Sequence, residues 1–256
     1  MIELVPCTTV GVFGPVASGK TFLFKKWLEK ENRVVAFDAT GELLAEPGFV
    51  EIWASPKKLL AAIEESPYYF KVAYVPGTPL IDDFNWVLKI LWSFDAQKLL
   101  AVDEFHLVCP NNAIDKDMET LLRFSRHAKL GIIGMSQRIA DVHKLFTSAC
   151  RLTILFLTTE ARDLDAIRDR WGDEVKDAVC RLRPLIYDDA MKETRQIPQC
   201  VVCRKGAGFQ IYDFQTDSFI GKNDMGSSPR QQPIDDEPEP DSPDEQEQPE
   251  PEGEQL

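Results

Sequence analysis

The chain has 256 residues, 44% of them hydrophobic, enough for one sizeable core, and a formal net charge of −13. No run of about 18 apolar residues occurs, and the N-terminus lacks a basic region followed by an apolar one, so neither a membrane span nor a secretory signal is expected. Of the 42 acidic side chains, eleven fall in residues 231–256, which contain no Lys or Arg, so the remaining body is close to neutral and its composition neither demands nor forbids nucleic-acid binding.

Thr8 to Phe13 is a short apolar, β-branched run that reads as a buried strand. It leads into Gly14-Pro15-Val16-Ala17-Ser18-Gly19-Lys20-Thr21, which fits the pattern of a glycine, four free positions and Gly-Lys-Thr. Thr21 to Lys30 then spaces Phe22, Leu23, Trp27 and Leu28 as an amphipathic helix does. A strand, a glycine turn and a helix start form a phosphate nest: backbone N–H groups converge and the helix N-terminus adds partial positive charge. Lys20 is expected to reach the β- and γ-phosphates of ATP, and the Thr21 hydroxyl to join a Mg²⁺ shell.

Arg33 to Phe37 reads as a second strand, ending at Asp38 with Thr40-Gly41-Glu42 after it. Asp38 and Glu42 either orient the nucleotide or a neighbouring subunit, or belong to a solvated turn. Phe49 to Trp53 is a short edge strand, and Ser55-Pro56 opens a helix to about Glu65. Phe70 to Val75 is a strand closed by Pro76-Gly77. Asp82 to Phe94 is a helix whose Trp86 and Trp92 are read as core rather than as a base-stacking platform.

Lys98 to Val102 is apolar after its first residue and delivers Asp103 and Glu104 at its end, the Walker B pattern. Asp103 is expected to hold Mg²⁺ and Glu104 to polarise the attacking water. His106 either couples to this pair or packs. An irregular stretch, Leu107 to Ala113, leads into a helix from about Ile114 to Ala128, with Arg123, Arg126, His127 and Lys129 toward its end, where positive charge also suits the helix dipole. Gly131 to Met135 is a strand followed at once by Ser136-Gln137-Arg138, whose amide can reach a γ-phosphate or its attacking water.

A helix from Ala140 to Ala149 follows, then a strand from Leu152 to Leu157, and Thr158-Thr159-Glu160 reads as the capped start of a helix through Arg170. Past Gly172 another helix runs to about Leu182. Ile197 to Cys203 and Phe209 to Tyr212 form a closing antiparallel pair joined at Gly206-Ala207-Gly208. Six cysteines are scattered, and the one C-x-x-C, Cys200 and Cys203, places its thiols on opposite faces of a strand, so packing is expected rather than zinc or redox chemistry. From about Gly221 the acidic, Pro-rich composition cannot bury enough apolar surface to offset chain entropy. The division expected is an ATPase domain over 1–220 and a disordered tail over 221–256, a solvated segment, a tether for a basic partner or a mimic of DNA.

These residues, with Asp38 to Glu42 and the run Gly134 to Val142, resemble the FtsK-HerA superfamily of DNA-pumping P-loop ATPases. Arg126 to Arg168 is most similar to the genome-packaging ATPases of tailless, internal-membrane double-stranded DNA viruses of the tectivirus kind. The resemblance implies a RecA/FtsK-HerA-like α/β fold with a mainly parallel sheet flanked by helices. It implies Gln137 as the glutamine sensor and Arg126 as an arginine finger acting on a neighbour's nucleotide, with Arg123 in reserve. Ile139 departs from the family's usual proline. The family further implies ATP, Mg²⁺, a homohexameric ring on double-stranded DNA, capsid vertex proteins as partners, and a place in the host cytoplasm or the virion. Leu107 to Asp115 and Pro76 to Asp82 are the candidate pore loops. Related alternatives are phage export or assembly, conjugative transfer, and a vertex component that binds ATP with little turnover.

Overall fold

The computed structural model describes residues 2–41, 48–188 and 193–221. Glu42 and nearly all of the expected tail, residues 222–256, lie outside them. Short buried runs alternate with amphipathic helices, and a strand covered on both faces can be apolar along its whole length. In chain order the elements are β1 (Thr9–Phe13), α1 (Lys20–Lys30), β2 (Arg33–Phe37), β3 (Val50–Trp53), α2 (Pro56–Glu65), β4 (Phe70–Val75), α3 (Leu80–Ser93) and β5 (Lys98–Val102). They continue with α4 (Lys116–Phe124), β6 (Leu130–Ser136), α5 (Lys144–Ala149), β7 (Leu152–Phe156), α6 (Ala161–Trp171) and α7 (Asp173–Cys180). The last are β8 (Ile186–Asp188), β9 (Glu193–Gln196), β10 (Gln199–Arg204), β11 (Gly208–Asp213) and β12 (Ser218–Ile220).

The main sheet has ten strands in the order β12-β11-β10-β7-β1-β6-β5-β2-β4-β3. From β7 to β3 all pairings are parallel, and β10, β11 and β12 close the other side antiparallel. The expected mainly parallel α/β sheet with an antiparallel closing end is therefore present. On one face, α1 packs Leu23, Phe24, Trp27 and Leu28 against Val10, Val12, Ile133 and Met135. The other face carries α2 to α7, with Leu59, Phe84, Met118, Phe146, Ile167 and Val175 in one continuous core. Cys203 lies in this second core and Cys200 in the first, as alternation along β10 requires.

Where the elements differ from expectation, long-range partners outcompete local propensity. The helix expected over Ala140 to Ala149 splits into a 3₁₀ turn at Ile139–Asp141 and α5. Asp163 on α6 accepts the Ala140 N–H at 3.0 Å, Val142 bridges Pro110, and His143 caps α5 through Nδ1 by accepting from Leu145 N–H at 3.2 Å. The helix expected over Ile114 to Ala128 is trimmed to α4, where Asp115 accepts from Asp117 N–H. The helix expected after Thr158-Thr159-Glu160 starts there, at Ala161, with Thr158 Oγ1 accepting the Glu160 N–H at 3.4 Å, although the Glu160 side chain itself caps nothing among the described residues. Trp86 and Trp92 are not core, being 56% and 39% exposed; the inner stripe of α3 is Phe84, Val87, Leu88, Ile90 and Leu91. The β8–β9 hairpin and β12 were not expected at all. Lys98, the odd polar residue opening β5, is buried and donates to the carbonyls of Phe94 and Ala128 beyond α3 and α4, and burial pushes its ammonium down to about 8.

Candidate nucleotide site

Register brings the site together. Phe13 of β1 lies opposite Ser136 of β6, Val102 of β5 opposite Gly134, and Phe37 of β2 opposite Val102. Gly14, Gln137, Asp103 and Asp38 therefore leave neighbouring strands at one edge, the carboxyl ends, where open α/β sheets bind ligand. Because β6 lies between β1 and β5, Gln137 emerges between the glycine loop and the carboxylate pair.

The loop is shaped for phosphate. Its backbone turns through Ala17 at φ 57° and Gly19 at φ 102°, and Gly19 is the N-cap of α1. A Cβ on Gly14 would lie 2.6 Å from Phe156 Cβ and 2.9 Å from Ser18 Oγ, so the chain can pass there only as glycine. The Lys20 ammonium donates to the carbonyls of Gly14 at 2.6 Å and Pro15 at 2.7 Å, folding the lysine across the loop it would serve. Among the described residues Ser18 Oγ is buried without a hydrogen-bond partner, and a phosphate oxygen can satisfy it. A polyphosphate at the N-terminus of α1 thus fits these residues.

Three carboxylates stand at the ends of β2 and β5. Asp38 is fully buried, and Thr40 Oγ1 stands between it and Asp103, 3.3 Å from Asp38 Oδ1 and 3.1 Å from Asp103 Oδ2, with one proton to donate to either. Gly41 N–H also donates to Asp38 at 2.8 Å. Burial raises the Asp103 carboxyl above the usual carboxylate range; bonds from Thr40 and the Glu104 N–H oppose this, and the charges of Glu104 and Asp38 add to it. A cation would relieve that penalty. Among the described residues no group of three or more His, Cys, Asp or Glu is placed to hold a metal ion.

Glu104 adopts φ 48° and ψ 54°, a conformation that costs a non-glycine residue on the order of 1–3 kcal/mol and clusters at functional sites. Gln137 Nε2 donates to Glu104 Oε1 at 2.7 Å, while His106 Nδ1 stands 3.2 Å from Glu104 Oε2 and 3.4 Å from Ser136 Oγ. His106 therefore couples to the carboxylate pair rather than packing in the core. Sequence reading missed Asp163, which is 2% exposed, holds Ala140 N–H and stands 3.5 Å from Arg138 Nε. Arg138 also donates to Glu160 at 3.2 Å, so α6 clamps the segment just after Gln137. The signal was available as a carboxylate on the buried stripe of α6, four residues before Ile167.

Arg126 and Arg123 are elsewhere. Both precede β6, so they lie at the amino ends of the strands, with the seven residues of β6, about 23 Å of chain, separating them from Gln137. Arg123 is engaged by Glu119 one turn away. Of the candidate pore loops, 107–115 is tied to the segment after Gln137 by Asn111 N–H to Asp141 O and His143 N–H to Cys109 O, and 76–82 is pinned by Gly77 N–H to Asp83 at 2.6 Å.

A glycine nest on a helix N-terminus, a buried aspartate on a nearby strand and a polar side chain between them are the arrangement of a P-loop fold. Solved structures carry the same fold. The chain is similar to the genome packaging NTPase B204 of Sulfolobus turreted icosahedral virus 2 in complex with AMPPCP, at 16% identity and TM-score 0.62, with 81% of this chain and 98% of that one covered. It is similar to B204, the DNA-packaging ATPase of Sulfolobus turreted icosahedral virus, at 16% identity and TM-score 0.61 with the same coverage. It is also similar to the pCW3 conjugation coupling protein TcpA with ATPγS, at 12% identity and TM-score 0.50, covering 80% of this chain and 59% of that one. No protein-family model and no curated protein matches the sequence. Among the described residues no helix is long and apolar enough to cross a membrane.

Proposed function

We propose that this chain is an ATPase that moves double-stranded DNA, and that its task is to package a viral genome into a capsid. The observation that carries the ATPase reading is the convergence of the Gly14–Thr21 loop, Asp103 and the Glu104–Gln137 pair at one edge of the sheet. The likeness to two packaging enzymes supports the packaging reading, and a conjugation coupling protein supports DNA movement more broadly. The domain is 1–220, and its working form is a homohexameric ring around DNA at a capsid vertex, in the host cytoplasm or the virion.

In this reading backbone N–H groups from Gly14 to Thr21 hold the phosphates of ATP, and Ser18 Oγ gains its missing partner. Lys20 leaves the Gly14 and Pro15 carbonyls to meet the β- and γ-phosphates. Thr21 and Asp103 would hold Mg²⁺, which would supply charge that neutralises the phosphates. Glu104 takes a proton from the water that attacks the γ-phosphorus in line, and the bond to the β-phosphate oxygen breaks. Gln137 fixes the Glu104 carboxylate in the resting chain and can turn toward the γ-phosphate or the water. Arg126 of a neighbouring subunit provides positive charge in trans.

Steady-state hydrolysis with and without double-stranded DNA tests this. The expected result is turnover stimulated by DNA, a Lys20→Ala variant that no longer retains nucleotide, and a Glu104→Gln variant that binds ATP but turns over at least ~100-fold more slowly. Full activity in Glu104→Gln would remove Glu104 as the base. ATP binding with negligible turnover under every condition would instead favour a non-catalytic vertex component.

A further inference from the structure

The amino ends of the parallel strands, opposite the nucleotide edge, carry a second feature. Two adjoining cavities of about 380 and 590 Å³ open there at the starts of β1, β6 and β7, and share Thr8, Arg123, Arg126 and Arg151. Lys205 lines the first and His127 the second, and no carboxylate lines either. Arg126, Arg151 and Lys205 are exposed. Arg123 has Glu119, but among the described residues neither Arg126 nor Arg151 has an acidic partner. Isolated guanidinium groups crowded into one groove repel each other unless an anion joins them.

We infer that this groove is the docking site of the chain's own acidic segment, residues 235–254. The complement in charge is complete: those residues hold all eleven carboxylates of 231–256 and no basic side chain. The path also fits. β12 pairs antiparallel with β11, Ser218 opposite Asp213 and Ile220 opposite Ile211, so the chain leaves it heading toward the amino edge of the sheet. Only β11 and β10 separate β12 from β7, a lateral distance of about 15 Å. The fourteen steps from Gly221 to Asp235 reach up to about 45 Å. A tethered segment meets its site at an effective concentration in the millimolar range, so weak ion pairs suffice to fill it. Occupied, the groove is closed to any other polyanion. This inference does not depend on ATP hydrolysis or on DNA movement.

Zero-length carbodiimide cross-linking of the full chain, read by mass spectrometry, tests it without nucleotide or DNA, because Lys205 offers the groove an amine. At about 0.01 M salt, links from residues 235–254 should concentrate on Lys205 over the distant Lys57 and Lys58. They should fall at least tenfold at about 1 M salt, where the screening length drops from about 30 to about 3 Å, and in Arg151→Glu, whose exposed side chain makes no bond that folding needs. Links spread evenly over the three lysines, or a Lys205 yield indifferent to Arg151→Glu, would overturn the docking. Mixing isotopically heavy and light chains assigns it: heavy–light links in place of heavy–heavy and light–light ones would overturn docking within one chain. If the groove serves DNA instead, a duplex would protect Lys205 from modification and no segment link would form in its absence.

Discussion

Asp103 carries a cost at the end of β5 that comes from its place in the fold. Its carboxyl is raised mainly by burial, so between the ordinary aspartate value of 3.8 and that raised value the folded chain keeps a proton that the unfolded chain has released. Stability from this site is therefore fully present below 3.8 and is lost as pH rises through the folded value. Asp103→Asn removes the charge while leaving an acceptor for Thr40 or the Glu104 N–H. At pH 7 the variant is expected to melt a few degrees above the native chain, at roughly 2–4 °C per kcal/mol, with the gap closing toward pH 4 and with hydrolysis abolished. Thermal unfolding across that pH range checks it, and a lower melting temperature at pH 7 would show that the carboxylate stabilises the empty site. Asp103 and Gly14 were legible in the sequence because an apolar strand ending in two carboxylates, and a glycine followed by four free positions and Gly-Lys-Thr, are local patterns. Asp163 and the His106–Ser136 contact were not legible in that way. Their contacts join residues 23 and 30 positions apart, and although the helical stripe shows that Asp163 is buried, no spacing pattern announces the partner of a lone carboxylate or imidazole.

The strands β1 to β7, with β10 and β11, were legible in the sequence to within one or two residues at each end, because a run covered on both faces must be apolar and must end where the chain turns. Helices were read less well where tertiary bonds take over their backbone groups, as Asp163, Pro110 and His143 do between Ile139 and α5. The β8–β9 hairpin gave no alternating pattern to detect. At this scale one glycine links the sheet to the chemistry. Gly134 of β6 faces Phe105 and Phe146, and a Cβ there would lie 2.7 Å from atoms of both rings. Those rings pack on one another with centroids 4.0 Å apart, and Phe105 directly follows Glu104. Gly134→Ala must therefore push the 3₁₀ turn formed by Phe105–Leu107, directly after Glu104, off the sheet, at an overpacking cost of about 1–3 kcal/mol. The expected variant melts several degrees lower, binds nucleotide through an unaltered Gly14–Thr21 loop, and loses turnover because the carboxylate has moved. Melting and nucleotide titration together check this; an unchanged melting temperature would mean the rings have room that their present positions do not show.

At the scale of the whole molecule, polar side chains gather at two opposite edges of the parallel sheet. The carboxyl ends of the strands hold the loop, the carboxylates and Gln137; the amino ends hold Arg126, Arg151 and Lys205, separated from the first set by the length of β6. Arg126 cannot reach its own chain's nucleotide across that span, so any catalytic part it plays belongs to a subunit whose amino edge meets a neighbour's carboxyl edge. Head-to-tail contacts of that sort close into rings. Arg126→Ala should then hydrolyse ATP poorly while binding it with native affinity, since the loop is untouched. Glu104→Gln should fail for the complementary reason, having an intact arginine but no base. When the two inactive variants are mixed in equal amounts and allowed to exchange subunits, about a quarter of the interfaces pair an intact Glu104 with an intact Arg126. Hydrolysis should recover toward that fraction of the native rate, and dilution below the assembly concentration should remove it. Absence of recovery in a mixture shown to form mixed oligomers would exclude Arg126 as the trans residue. Arg151, exposed beside it in the same groove and equally without an acidic partner among the described residues, would be the next to mix against Glu104→Gln.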